Sequence, residues 1–207
     1  MVKVIGIDLA GLESNPSGFS LLTDHELHNQ IIYRDSEILK TCAASQPSVV
    51  AIDAPLSLPG RGSLREADLA LIRRGFRVFP PNFGGMRSLT VRGMKLAGKI
   101  RRSGIEVIEV HPRTSGLILF GSDDRKKWVA GLRRAGFELQ GGAGRHEIDA
   151  ALAAVTGLLR LQGKTEEIGT EKEGKIIIPR ARCSLSPLRC WRGWRRPRPG
   201  SAPPFSA

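Results

Sequence analysis

The stretch VKVIGID, residues 2–8, decides the fold, and SVVAID at residues 48–53 repeats its design. Each is a short aliphatic run that ends on an aspartate, Asp8 and Asp53. Apolar residues in both phases of the two-residue repeat mark a strand covered on both faces, as in the middle of a parallel or mixed sheet. A third run, IEVIEV at residues 105–110, carries Glu109, and HEIDAALAAVTGLL at residues 146–159 reads as a long apolar helix with Asp149 near its start. A carboxylate in such surroundings costs several kcal/mol unless a cation or hydrogen-bond donors compensate it. Four of them, three near strand ends and one on a helix, point to a metal cluster.

Working outward, residues 18–23 and 26–33 suit an antiparallel pair joined by a turn near Asp24 and His25, and residues 36–44 suit a short helix. Prolines and glycines make residues 54–63 a loop. Ser63 is then expected to cap a helix running to about Arg74, with Glu66 completing a capping box. A second loop (79–85), a basic helix (86–103), a short helix opened by Pro112 and a helix over 123–135 follow. GGAGR at residues 141–145 reads as a hinge before the apolar helix, and a strand over 175–178 closes the chain's ordered part. This order describes a mixed sheet flanked by helices, with the strand-end acids along one edge, where open α/β sheets bind ligands.

The 207 residues, 41% hydrophobic and 25% charged, suffice for one domain with a substantial core. No apolar run approaches the roughly 20 residues a membrane helix needs. The chain enters its first strand pattern at once, and its three cysteines form neither a disulfide framework nor a zinc motif, so a cytoplasmic location is expected. The formal charge of +12 misleads, because residues 180–207 hold seven arginines and no acid, leaving +5 for residues 1–179. That tail, rich in Pro and Arg, is expected to be disordered. It reads either as a basic arm with Trp191 and Trp194 for base stacking or, preferably, as an extension without selected structure. On the preferred reading it is not evidence for a nucleic-acid partner.

The acids suit a hard divalent cation, Mg²⁺ or Mn²⁺, with Asp8, Asp53, Glu109 and Asp149 as ligands. Two such ions about 4 Å apart stabilise the attacking and leaving oxygens of an in-line phosphoryl displacement. His146 lies three residues before Asp149 and shares its helix face, so it is the candidate for proton transfer or ligation. Strand alternation places Val107, Glu109 and His111 on one face, which makes His111 a second candidate. Arg65, Arg87 and Arg92 border the acids as candidate phosphate contacts, and Arg92, Lys95, Lys99 and Arg102 are spaced as a helical stripe.

GIDLAG, VVAIDAPLSLP, Arg65 to Asp68 (READ), VFPPNFGGMRSLT, VIEVHPRTS and HEIDAALAAVTG resemble, in that order, the domain of unknown function 429 family of predicted RNase H-fold nucleases. The resemblance covers about residues 1–179. It implies an α/β, RNase H-like mixed five-stranded sheet flanked by helices in a single domain. It also implies that Asp8 is the first-strand acid, Asp53 and Glu109 later-strand acids, and Asp149 the acid of the last helix. Metal-dependent hydrolysis of DNA or RNA is the function so implied. A phosphotransferase of the actin and sugar-kinase type shares such a sheet, but it needs a second domain and glycine-rich phosphate loops, for which GGAGR is a weak match. A module that grips nucleic acid without cutting it is the third possibility.

Overall fold

A computed structural model describes residues 2–181, 183 and 185 of the chain. The strands are β1 (Lys3–Asp8), β2 (Ser17–Thr23), β3 (Glu26–Ile32), β4 (Val49–Asp53), β5 (Glu106–Val110), β6 (Glu138–Gly141), β7 (Thr165–Thr170) and β8 (Gly174–Pro179). The helices are α1 (Asp35–Ser45), α2 (Glu66–Arg73), α3 (Gly85–Arg102), α4 (Pro112–Phe120), α5 (Arg125–Arg134) and α6 (Arg145–Leu161). All the strands join one mixed sheet in the order β6-β3-β2-β1-β4-β5-β8-β7. The five-stranded core implied by the resemblance, β3-β2-β1-β4-β5, is its middle, with β6 added on one side and β8-β7 on the other. The sheet is therefore wider than the five strands implied, because the expected closing strand β8 joins it beside β5 and two short polar strands, ELQG and TEEIGT, close its edges.

The β1–β2–β3 meander is antiparallel, whereas β1, β4, β5 and β8 run parallel, so the C-terminal ends of β1, β4 and β5 lie together. One face of the sheet packs on α6, whose residues from Ile148 to Leu159 are all buried against Val4, Val49, Ala51, Ile108 and Val110. The other face packs Ile5, Ile7, Val50, Ile52 and Val107 against α1 and α3. A smaller cluster, Ala67, Leu71, Ile168, Ile176 and Ile178, seats α2 on the β7–β8 end.

Two glycines let α6 lie unusually close to the sheet. A Cβ on Gly6 would sit 2.0 Å from the Ala150 carbonyl oxygen, and one on Gly18 would sit 1.9 Å from that of His146. Both would strike backbone, which cannot rotate away. The first turn of α6 is thereby brought down beside the end of β1.

Helix α2 starts two residues later than expected, and its cap differs. Asp68 accepts from the backbone N–H of Arg65 at 2.8 Å, so Asp68 rather than Glu66 closes the first turn, and Ser63 lies outside the helix. Among the described residues no helix is long and apolar enough to cross a membrane. Of the tail, Arg180 donates through its backbone to Lys164 and Leu185 packs on the core. Trp191, Trp194 and Cys190 lie outside the described residues.

Candidate active site

Parallel pairing of β1 with β4 sets Asp8 directly opposite Asp53, so both side chains leave the sheet on the same face at adjacent strand ends. That face is the one α6 covers. His146, in the first turn of α6, lies with Nδ1 2.6 Å from Asp8 Oδ2. With Asp8 ionised the Nδ1–H is the donor, which leaves Nε2 outside that bond. Asp149, one turn further on, is buried and is gripped by Arg125 of α5, whose Nε and Nη2 donate to its two oxygens at 2.8 and 2.5 Å. The same guanidinium stacks over the Trp128 ring, 5.4 Å from its centre. Asp8, Asp53, Asp149 and His146 thus stand around the same strand ends, but no three of their ligand atoms lie within 4.8 Å of one another; among the described residues only His25, Glu26 and Glu138 stand that close.

Asp53 is the electrostatic anomaly of this group. No hydrogen bond reaches its carboxylate among the described residues. Burial raises its pKa well above the ordinary 3.8, and the charges of Asp8, Asp149 and Glu109 push it further. Burial also raises Asp8, against the opposing hydrogen bond from His146. Three carboxylates therefore share one arginine and one histidine.

Glu109 is separated from them. The β4–β5 register sets it opposite Ile52, not Asp53, so it leaves the sheet on the α3 face. There Arg65, 1% exposed, donates from Nη1 and Nη2 to its two oxygens at 2.8 and 2.6 Å, and the Leu56 N–H adds a third bond at 2.7 Å. Asp68 binds the same arginine through both of its oxygens, at 3.0 Å from Nε and 2.9 Å from Nη2. Burial works against the Arg65 charge, but hydrogen bonds to Glu109 and Asp68 outweigh it and hold the guanidinium protonated. All four oxygens of this buried triad are satisfied. Glu109 is thus a partner of Arg65 rather than a fourth member of the Asp8 group, and Arg65 is a buried counter-ion rather than a surface phosphate contact.

Arg92 also departs from its expected place on a basic stripe. It is buried, with Nε 2.9 Å from Asp35 and its two terminal nitrogens donating to the carbonyls of Ala10 and Tyr33 at 2.8 and 2.7 Å. It ties α3 to the loops after β1 and β3. Lys95, Lys99 and Arg102 remain exposed, and Arg87 is exposed on an open groove of about 660 Å³ that it lines with Gly11, Ser88 and Lys95. His111 is bonded to Thr114 through Nδ1 at 2.7 Å, and burial pushes its pKa down to about 4, so its ring is neutral. A cavity of about 230 Å³ over the strand ends is lined by Asp8, Asp53, Glu109, His111 and Phe79, and joins the two acid groups at one mouth.

Sequence reasoning overlooked Arg125, Trp128 and Asp68 as parts of this region. Asp68 was marked only by READ and its spacing from Arg65. Arg125 opens α5 beside Lys126 and Lys127 as one cation among several, and only the packing of α5 on α6 brings it to Asp149.

The fold has solved counterparts. A structure of Thermus thermophilus RuvC shares 14% identity with this chain at a TM-score of 0.50, covering 78% of this chain and 97% of RuvC. Thermus thermophilus RuvC in complex with a Holliday junction substrate is similar at a TM-score of 0.49, with 14% identity and coverage of 79% and 97%. The likeness is one of architecture, and the chain has the RNase H-like fold. No curated protein matches its sequence. A family model does match, over residues 6–174, and the chain belongs to the family described as Protein of unknown function (DUF429).

Proposed function

We propose that the protein is a divalent-metal-dependent nuclease that hydrolyses phosphodiester bonds of DNA or RNA at Asp8, Asp53, Asp149 and His146. The observation that carries this reading is the registered pair Asp8–Asp53 on one face of the sheet, overlaid by His146 and Asp149. The donor set fits Mg²⁺ or Mn²⁺: hard carboxylate oxygens, one imidazole, and an Asp53 carboxylate that no described residue bonds. A bound ion would stabilise charge on the phosphodiester oxygens and acidify a bound water.

The protein's own groups divide the remaining work. Asp8 and Asp53 would hold the ion from the sheet, and Asp149 from the helix. Arg125, about one-third exposed beside Asp149, would pass its charge to a substrate phosphate once that carboxylate is engaged. His146 Nε2 is placed to accept or return a proton, because Asp8 fixes the ring through Nδ1. Arg87 and Lys95 on the adjoining groove would hold the phosphate backbone. Glu109 and Arg65 would shape the loop after β4 without contacting the ion.

The test is cleavage of labelled single-stranded, duplex and branched DNA and RNA by the full chain with Mn²⁺ or Mg²⁺. Asp8→Asn and Asp53→Asn should each lower the rate by roughly 10²-fold or more while the fold is retained. Undiminished cleavage by Asp8→Asn would mean that a contaminant cuts the substrate, and the claim would be lost.

A further inference from the structure

We propose that Phe79 and Phe83 form a stacking platform for unpaired nucleobases, so that the strand entering the carboxylate site is single-stranded. This rests on the nuclease reading and adds to it the state of the substrate. Among the described residues these two rings are the most exposed large apolar side chains, at 68% and 73%. Scattered exposed hydrophobics need no explanation, but two rings on one short loop at the rim of a site do. Phe79 lines the same cavity as Asp8 and Asp53. The loop is also held in place: Asn82 donates to the Gly62 carbonyl at 2.9 Å, and Thr90 donates to that of Pro81 at 2.8 Å. The rings are therefore presented on a braced segment.

Charge identifies the partner. Residues 69–105, which contain this loop and α3, include nine Lys and Arg and no Asp or Glu. Arg92 alone of the nine is buried. Arg74 pairs with Glu166 and Arg92 with Asp35, but the other seven form no ion pair with a carboxylate among the described residues, and a surface that joins such cations to flat apolar rings fits a polyanion that also shows flat apolar faces. Duplex nucleic acid hides its base faces in the stack, whereas a single strand offers them, and aromatic rings take them without regard to sequence. The carboxylates in the adjoining cavity favour a chain whose phosphates proceed to that site over an anionic lipid surface.

The experiment uses the full-length Asp8→Asn protein in Mg²⁺, which binds without turnover, and fluorescence anisotropy with labelled single-stranded DNA, single-stranded RNA and the matching duplex. Phe79→Leu with Phe83→Leu keeps bulk and apolarity and removes the rings, and Phe79→Tyr with Phe83→Tyr keeps the rings. The leucine pair should weaken single-strand binding at least about tenfold, change duplex binding by less than about threefold, and leave the tyrosine pair near the parent. Equal binding of the single strand by the leucine pair and the parent overturns the platform. So does equal weakening of single strand and duplex, failure of the parent to bind any oligonucleotide, or ring-dependent binding of phosphatidylserine vesicles in its place. Cleavage by the wild type without ring dependence would sink the platform alone. Ring-dependent binding without cleavage would support it and sink the nuclease reading alone.

Discussion

Two acid clusters meet at one edge of the sheet, and they are built in opposite ways. Around Arg65, the carboxylates of Glu109 and Asp68 have a donor for every oxygen, and the triad is closed. Around Asp53, three carboxylates share Arg125 and His146, and Asp53 itself has no donor among the described residues. In the closed triad every buried oxygen has a donor, although burial still holds the pKa of Glu109 above its ordinary value. An open cluster retains negative potential, weakens the fold that carries it, and is suited to receive a cation. Buried acids in one protein thus need not share a role, and donor supply tells them apart.

The largest expected effect comes from opening the closed cluster. Arg65→Met strands two buried carboxylates and should cost about 3–5 kcal/mol in urea unfolding. A variant with the wild-type midpoint would show that the triad is not what holds the β4 loop and α2 together. Next comes the support of the open cluster. Gly6→Ala forces a Cβ into the backbone of α6 and should cost about 1–3 kcal/mol. Because α6 must rise, His146 and Asp149 withdraw from Asp8, so Mn²⁺ should stabilise this variant less than the wild type in thermal unfolding.

Arg125→Ala removes a cation that is about one-third exposed, so its cost should be only about 1 kcal/mol. Mn²⁺ should then raise the melting temperature by more than it does in the wild type, since the ion no longer competes with Arg125 for Asp149. An unchanged Mn²⁺ response would separate Arg125 from the metal site.

Asp53→Asn should have the smallest effect and the opposite sign. Burial and neighbouring acids raise the folded pKa of Asp53, so the folded state keeps a proton that the unfolded chain has already released. Stability of the metal-free wild type must therefore fall as pH rises above the unfolded value, about 4, and level off past the folded value. The asparagine variant lacks this loss. Its melting temperature should exceed that of the wild type by a few degrees at neutral pH, and the difference should vanish near pH 4. A variant less stable than the wild type at neutral pH would mean that the Asp53 carboxylate is satisfied after all.

Much of this was legible because burial leaves a strong mark on sequence. Val2 to Asp8 and Val49 to Asp53 announce central strands, and the apolar run of α6 announces the helix above them. The pairing of His146 with the sheet acids follows from helical spacing once α6 is placed. β6 and β7 were missed because edge strands are short, polar and half-solvated, so they lack a two-residue apolar rhythm. Arg92 and Arg65 looked like surface cations because an arginine buried by tertiary partners has the same sequence neighbourhood as a solvated one.

By itself, the sequence determined which segments are buried, that acids end them, and that a helix carries His146 and Asp149 on one face. Those are local properties, set by side-chain periodicity. Only the tertiary structure decided which acids stand together. Membership depends on strand register, which puts Asp53 opposite Asp8 and Glu109 opposite Ile52. It depends also on which arginines the packed helices deliver, and neither quantity exists until distant segments meet.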